Sequence, residues 1–332
     1  MKVIDIRQRS PEWHQWRNSG VSASEADIVL GISPYATPYR LYAEKKGILI
    51  PENLDRNPHV QRGVRIEPIA RRAFEQRHNK DFILPLCGQS EDYPFLRASF
   101  DGVDDDGIPS EFKAPTEENF NDAKQNGIRS AIYQRYYPQV QHQICVAGVD
   151  RGWLTFHYKD QFIDFLVMRD EPFIKRLVLA AHDFAILLRT NTPPLKDPQR
   201  DLYLPEGEEL ASWENLALSC HVLQRQIDES KALIAKLSEE QAPLKAQLMA
   251  MMGDYAEAET AGIKLTLYAQ KGGIDYKRAL ELMCPNLDPD DLESFRRPSS
   301  PRSRMTIKDE SKVRVPFNMD QLIDSAKTDS YF

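Results

Sequence analysis

Four residues in the middle of the chain have the types and spacing for phosphodiester chemistry. Asp101 precedes Glu111 by ten positions, and Lys113 follows two later, in the order D-x9-E-x-K. On a strand, side chains two apart share a face, so Glu111 and Lys113 point together while Phe112 points into the core. Asp101, on the partner strand of a hairpin, reaches the same place. Two carboxylates and the Phe112 carbonyl are hard oxygen donors suited to Mg2+, which keeps waters and takes phosphate oxygens from a substrate. Lys113 beside them would orient or deprotonate an attacking water, its pKa lowered by the metal's charge. Glu67, on a preceding helix, is a candidate ligand for a second ion, and two ions would stabilise both oxygens of an in-line displacement. Acidic and basic residues also alternate on ordinary exposed strands, so the pattern alone is compatible with a solvated face.

The elements around these residues are readable from caps, turns and periodicity. Ser10-Pro11 opens a helix, with Ser as N-cap and Pro at the first helical position. Ser22-Ala23-Ser24-Glu25 is a capping box that starts another, stopped at Gly31. A helix over 65–77 carries Ile66, Ile69, Ala70, Ala73 and Phe74 on one side, with Pro68 placed near its first turn because an interior proline costs ~3 kcal/mol. Strands at 97–103 and 108–114 flank the turn Asp104-Asp105-Asp106-Gly107, which lacks the ligand spacing of a calcium loop. Pro138 opens a helix to about Ala147. Strands at 152–158 and 161–168 form a second hairpin, and a helix runs from about Glu171 to Arg189. The succession is that of an α+β fold with a central mixed β-sheet flanked by helices.

Residues 1–190 are therefore read as one domain, 191–208, with four prolines, as a linker, and 209–332 as a helical extension. Within the extension, Leu210, Trp213, Ala217, Cys220, Ile227, Ile234, Leu237, Leu244, Leu248 and Met251 approximate a three-four repeat. That predicts a helical hairpin or short coiled coil, kinked or broken near Pro243. Two short strands about Ala261-Gly262 and a helix over 275–283 follow.

Composition bounds the function. The 332 residues carry a net charge of −7, which opposes generalised phosphate binding. Charge is unevenly spread, however. Five arginines face two glutamates between Arg62 and Arg77, and seven basic residues face two acidic ones between Arg296 and Arg314. Local basic surfaces in an acidic protein would hold DNA selectively. No apolar run approaches the ~20 residues that span a bilayer, which excludes a membrane protein, and the N-terminus resembles no secretory signal. The expected location is the cytoplasm of a bacterial or phage-infected cell. Cys87, Cys145, Cys220 and Cys284 stand too far apart for a zinc ribbon or redox pair and are read as buried free thiols. His142 and His157 are isolated and read as hydrogen-bonded rather than catalytic.

The chain resembles the phage-type recombination exonucleases, related to lambda exonuclease and the YqaJ-like viral recombinases, within the PD-(D/E)XK nuclease superfamily. Six ordered motifs over about residues 10–170 carry the resemblance. They are Glu12-Trp13 with Arg17; Ser22-Ala23-Ser24; Gly63 with Glu67 and Ala70; Ala98-Ser99-Phe100-Asp101-Gly102; Glu111-Phe112-Lys113; and Tyr136 with Gln139. Phe100 stands where relatives commonly have proline. The resemblance implies a restriction-endonuclease-like core in which Asp101, Glu111, the Phe112 carbonyl and Glu67 bind two Mg2+ ions, replaceable by Mn2+. It implies that Lys113 assists the water and that Tyr136 and Gln139 support the catalytic centre. Arg17, Ser24 and Ser99 correspond to a pocket for a 5′-phosphate, and a helix N-terminus at Ser24 would favour such an anion.

The implied activity is a metal-dependent 5′ to 3′ exonuclease acting on double-stranded DNA ends, for recombination by single-strand annealing. The implied partners are duplex ends, a single-strand annealing protein, and further copies of the chain in a ring-shaped trimer. A phage or restriction-type endonuclease with the same centre is the alternative enzyme. A catalytically silent DNA-binding or assembly protein is the alternative of another class. The complete set of acids and lysine speaks against silence, and the Arg17 pocket speaks for end recognition.

Overall fold

Serine, threonine and aspartate caps set the starts of several helices in the computed structural model. It describes residues 1–268, 272–273, 275–284, 305–306, 313–315 and 317–320, apart from 53–56, 81 and 84. After strand β1 (Lys2–Ile4), helix α1 (Pro11–Asn18) begins where Ser10 Oγ accepts the Trp13 N–H at 3.2 Å. Strand β2 (Val21–Ser22) leads into a 3₁₀ turn at Ala23–Glu25 and the single-turn α2 (Ala26–Val29). The capping box thus starts a much shorter helix than its form suggests. Thr37 caps α3 (Pro38–Lys45).

Helix α4 (Pro58–His78) is longer than the expected 65–77, and Pro68 lies in its interior rather than its first turn. Pro68 cannot donate to the Val64 carbonyl, but tertiary packing holds the helix together beyond it. Ala70 and Phe74 are buried against Phe112, with Trp153 alongside. Strands β3 (Phe82–Ile83), β4 (Leu86–Gln89), β5 (Leu96–Phe100), β6 (Gly102–Asp104) and β7 (Pro109–Lys113) follow. The β6–β7 turn forms as expected. Asp104 Oδ1 accepts the N–H groups of Asp106 and Ile108, and Gly107 takes φ +77°.

Helix α5 (Glu117–Asn126) precedes α6 (Ala131–Ala147), which starts seven residues before Pro138, the expected first position. Ser130 supplies its cap, accepting the Tyr133 N–H at 3.3 Å. Pro138 is accommodated inside because α6 is buried along most of its length, so packing outweighs one lost backbone bond. Hairpin β8 (Arg151–Tyr158) and β9 (Gln161–Met168) and helix α7 (Glu171–Thr190) agree with expectation.

The strands make two mixed sheets rather than one continuous sheet. The four-stranded sheet has the order β1-β4-β5-β2, and the five-stranded sheet the order β3-β6-β7-β8-β9. Only β2–β5 and β7–β8 are parallel. The β7–β8 crossover carries α5 and α6, as parallel pairing requires a long connection. Asp101 is the one residue between β5 of the first sheet and β6 of the second. The main core, including Phe100, Val140, Ile144, Leu154, Phe156 and Leu177, lies between the sheets and α6 and α7.

By contacts the chain divides into two units, Met1–Leu204 with Glu310–Asn318, and Pro205–Asp309 with Met319–Phe332. In the first, the proline-rich stretch is pinned. Arg200 donates to the Ser33 carbonyl at 2.7 Å, Thr37 hydrogen-bonds Asp201, and Leu204 packs on Tyr39, Ala43 and Leu49. In the second, α8 (Glu208–Met252) is one helix that passes through Pro243, not a helical hairpin. Most of its apolar residues, Leu216, Leu223, Ile234 and Leu244 among them, are exposed, and Met252 at its end is buried. The strands β10 (Glu257–Thr260) and β11 (Ile263–Thr266) turn at Ala261 and Gly262, both with positive φ, and Asp275 caps α9 (Tyr276–Met283). Cys87 and Cys145 are buried thiols as expected, but Cys220 is half-buried and Cys284 exposed. Most of the basic stretch 296–314 lies outside the described residues. No helix among those described is long and apolar enough to cross a membrane.

The pinned stretch sets a stability difference. A chain ending at Leu204 should melt about 4–16 °C above one ending at Thr190, since two hydrogen bonds and a packed leucine amount to roughly 2–4 kcal/mol. Equal thermal midpoints would show that residues 191–204 add nothing to the first unit.

Candidate active site

Strand β7 is buried on both faces, and its alternation sends neighbouring side chains to opposite sides. Phe112 packs under α4 in the small cluster with Ala70 and Phe74, separate from the main core. Glu111, with a side chain only 2% exposed, turns toward α6. There Gln139 Nε2 donates to Oε1 and Gln143 Nε2 to Oε2, both at 2.6 Å. Lys113 Nζ stands 2.5 Å from Glu111 Oε1 and 4.9 Å from the Tyr136 ring centroid. Asp101 lies at the joint of the two sheets rather than on a strand. Its Oδ2 accepts the Phe112 N–H at 3.0 Å, and its carbonyl accepts from Arg71 Nη1 at 2.5 Å. Glu67, Asp101, Glu111, Phe112, Lys113 and Gln139 line one cleft of about 280 Å³.

Crowding shapes the charges. Burial, then repulsion from Glu111 and Glu67, hold the Asp101 carboxyl well above its ordinary value. Burial likewise raises Glu67, with Arg71 opposing and Glu111 reinforcing the shift. Burial acts to lower Lys113, but the pull of Glu111 and Asp101 prevails and its pKa is raised. Without a bound cation the protein's own groups therefore favour the ammonium form of Lys113. Among the described residues no three His, Cys, Asp or Glu side chains already form a metal cage. The donor set nevertheless fits a hard divalent cation, because its carboxylates repel one another in a site of low water content and a cation would relieve that repulsion.

The same cleft is also lined by Arg17, Ser22, Ser24 and Ser99. Arg17 stacks on Trp13, its guanidinium carbon 4.5 Å from the ring centroid, and Nη2 donates to Ser22 Oγ and Ser24 Oγ at 2.8 Å. Each serine accepts there, which leaves it a proton to donate. Trp13 Nε1 donates to Ser99 Oγ at 2.8 Å, so the ring fixes two pocket residues at once. Glu25 would repel an anion, but its Oε1 is 2.9 Å from Lys45 Nζ and 3.7 Å from Arg17 Nη2. Two cations thus stand against the one carboxylate at this end of the cleft. The helix dipole contributes little at Ser24. A three-residue 3₁₀ turn and a four-residue helix carry too few aligned peptides, so Arg17 supplies most of the field.

Gln143 and Arg71 escaped the sequence reading. Their signals were the i,i+4 spacings Gln139–Gln143 and Glu67–Arg71, each placing two polar groups on one helix face. His142, between the two glutamines, is buried, and burial pushes its pKa down to about 4. Its ring nitrogens make no hydrogen bond of normal geometry among the described residues, contrary to the expected pairing.

Residues 12–150 are matched by the family model described as the YqaJ-like viral recombinase domain. Among solved structures, the alkaline exonuclease LHK-Exo from Laribacter hongkongensis is similar at 20% identity and TM-score 0.48, over 55% of this chain and 94% of that one. Its complex with dAMP gives 21% and 0.46 over the same shares. A phage related exonuclease from Haemophilus somnus 129PT gives 14% and 0.37, over 52% and 96%. No curated protein matches the chain significantly.

The raised Asp101 has a stability consequence. Its ionisation is opposed in the folded state, so its contribution is lost as pH rises through the raised value, and a neutral isostere gains. In EDTA at pH 7, Asp101→Asn should melt at a higher temperature than the parent. The difference should vanish in acid, where both side chains are neutral. An equal or lower midpoint at pH 7 would show that the acids do not strain the fold.

Proposed function

We propose that the chain, whose residues 12–150 carry a YqaJ-like viral recombinase domain, is a Mg2+-dependent deoxyribonuclease. It degrades duplex DNA from 5′ ends, 5′ to 3′, and exposes single strands for recombination by annealing. The observation that carries this reading is that one cleft holds both the acid and lysine set and the arginine and serine set. A phosphodiester near a strand end thereby meets the hydrolytic groups while the terminal 5′-phosphate is held at Arg17.

Each residue has a defined part. Glu67, Asp101, Glu111 and the Phe112 carbonyl would hold divalent cations, two Mg2+ or Mn2+ in their place, which supply Lewis-acid stabilisation of the phosphoryl oxygens. Lys113, whose Nζ stands 2.5 Å from Glu111 Oε1, orients the attacking water and offsets charge that builds on the phosphate. Gln139 and Gln143 fix both oxygens of Glu111, and the Tyr136 ring confines the ammonium. Arg17, Ser24 and Ser99, with Ser22, bind the 5′-phosphate by charge-assisted hydrogen bonds. The exposed apolar residues of α8 support assembly with further copies or with an annealing protein, inside a bacterial or phage-infected cell.

The test is purified protein with Mg2+ on linear duplexes bearing 5′-phosphate or 5′-hydroxyl ends and on covalently closed circles. Linear phosphorylated DNA should be degraded and closed circles spared. EDTA, or Glu111→Gln, should abolish cleavage. Arg17→Ala should slow phosphorylated ends roughly ten- to a hundredfold, the value of one charge-assisted hydrogen bond of ~1.5–3 kcal/mol, while leaving hydroxyl ends nearly unchanged. Equal cleavage of closed circles, or a phosphate preference that survives Arg17→Ala, would replace end recognition with internal cutting.

A further inference from the structure

The joint between the two sheets is a single residue, and that residue is Asp101. Phe100 is paired with Leu86 in the four-stranded sheet, and Gly102 with Ser110 in the five-stranded sheet. Between these pairs Asp101 belongs to neither ladder, so its polar groups are held from outside its own strands. Phe112 N–H takes the carboxylate, and Arg71 Nη1 takes the carbonyl. Arg71 is only 6% exposed, although arginine is seldom buried without a purpose that offsets its desolvation. It also follows Glu67 by one turn of α4. The residue beside it, Ala70, and Phe74 one turn on anchor α4 upon Phe112.

We propose that Arg71 is a positioning residue for the acidic centre: it clamps the backbone joint at Asp101 to α4, setting where the Asp101 carboxylate stands relative to Glu67 and β7. The inference rests on the reading of these carboxylates as the cation site, and it concerns a residue that touches neither substrate nor water in that reading. Charge and geometry predict opposite signs for its removal. If Arg71 acted only as a nearby cation, deleting it would make the acidic site more negative and bind a divalent cation more tightly. If it positions, the joint slackens and binding weakens in spite of the gained negative charge.

Amide hydrogen exchange resolved at Phe112, and Mn2+ titration by calorimetry without DNA, separate these outcomes in the full chain carrying Arg71→Met or Arg71→Lys. Circular dichroism and thermal melting verify folding, and the lysine variant retains a buried charge should the methionine variant fail to fold. Arg71→Met should lose at least tenfold of the Phe112 amide protection while the β8–β9 amides keep theirs, bind Mn2+ at least tenfold more weakly, and cleave DNA more slowly. Arg71→Lys, with one compact ammonium in place of a planar fork, should recover only part of both. Unchanged Phe112 protection, with Mn2+ binding equal or tighter, would overturn the proposal. A parent protein that binds no Mn2+ would overturn the cation-site reading instead, and the Phe112 exchange would still decide the role of Arg71.

Discussion

Glu111 is a carboxylate removed almost wholly from water, and the arrangement around it follows from that constraint. An isolated buried charge costs several kcal/mol, so each oxygen must find strong partners. They come from three directions: Lys113 on the same strand, and Gln139 and Gln143 on α6. That requirement ties β7 to the crossover helix and fixes the rotation of α6 about its axis. It also accounts for the buried Gln143 of α6, whereas the buried Gln141 serves the Met168 carbonyl and the Asp170 N–H. The interactions that stabilise the fold here are the same ones that fix the Glu111 carboxylate in the cleft.

Asp101 adds a second constraint. A residue that ends one sheet and begins another has no ladder partner, and the open backbone and the carboxylate both face the space between α4 and β7. Placing an acid at such a joint lets two sheets converge on one point. It also stores electrostatic strain, because Asp101, Glu67 and Glu111 repel one another where water screens them little. Strain of this kind is the expected mark of a site whose stabilising partner is a ligand rather than the protein itself.

The Arg17 pocket is built by different means. A tryptophan ring supports the guanidinium, serine hydroxyls receive it, and Lys45 neutralises Glu25 beneath. None of these contacts depends on the acidic set, yet both open into one cleft because β2 and β5 are neighbours and β5 leads directly into Asp101. Sheet topology thereby fixes how the Arg17 pocket and the acidic set face each other.

Features governed by near neighbours were legible in the sequence. The Ser10 cap, the turns at Asp104–Gly107 and Ala261-Gly262, and the shared face of Glu111 and Lys113 depend only on backbone geometry a few residues long. The α+β order of elements was likewise legible, since period-two and period-3.6 patterns are local. Long-range burial decided the rest. Pro68 and Pro138 sit inside helices because packing along α4 and α6 exceeds the local penalty, a sum that no window of sequence contains. The single helix in place of a hairpin at Pro243 shows the same limit, as one proline does not reveal whether a helix resumes beyond it. Gln143, Arg71 and the position of Asp101 at a sheet joint became visible only when strands and helices far apart in the chain met. The partners of a buried polar group are chosen by three-dimensional proximity, and sequence spacing records that only when both partners lie on one element.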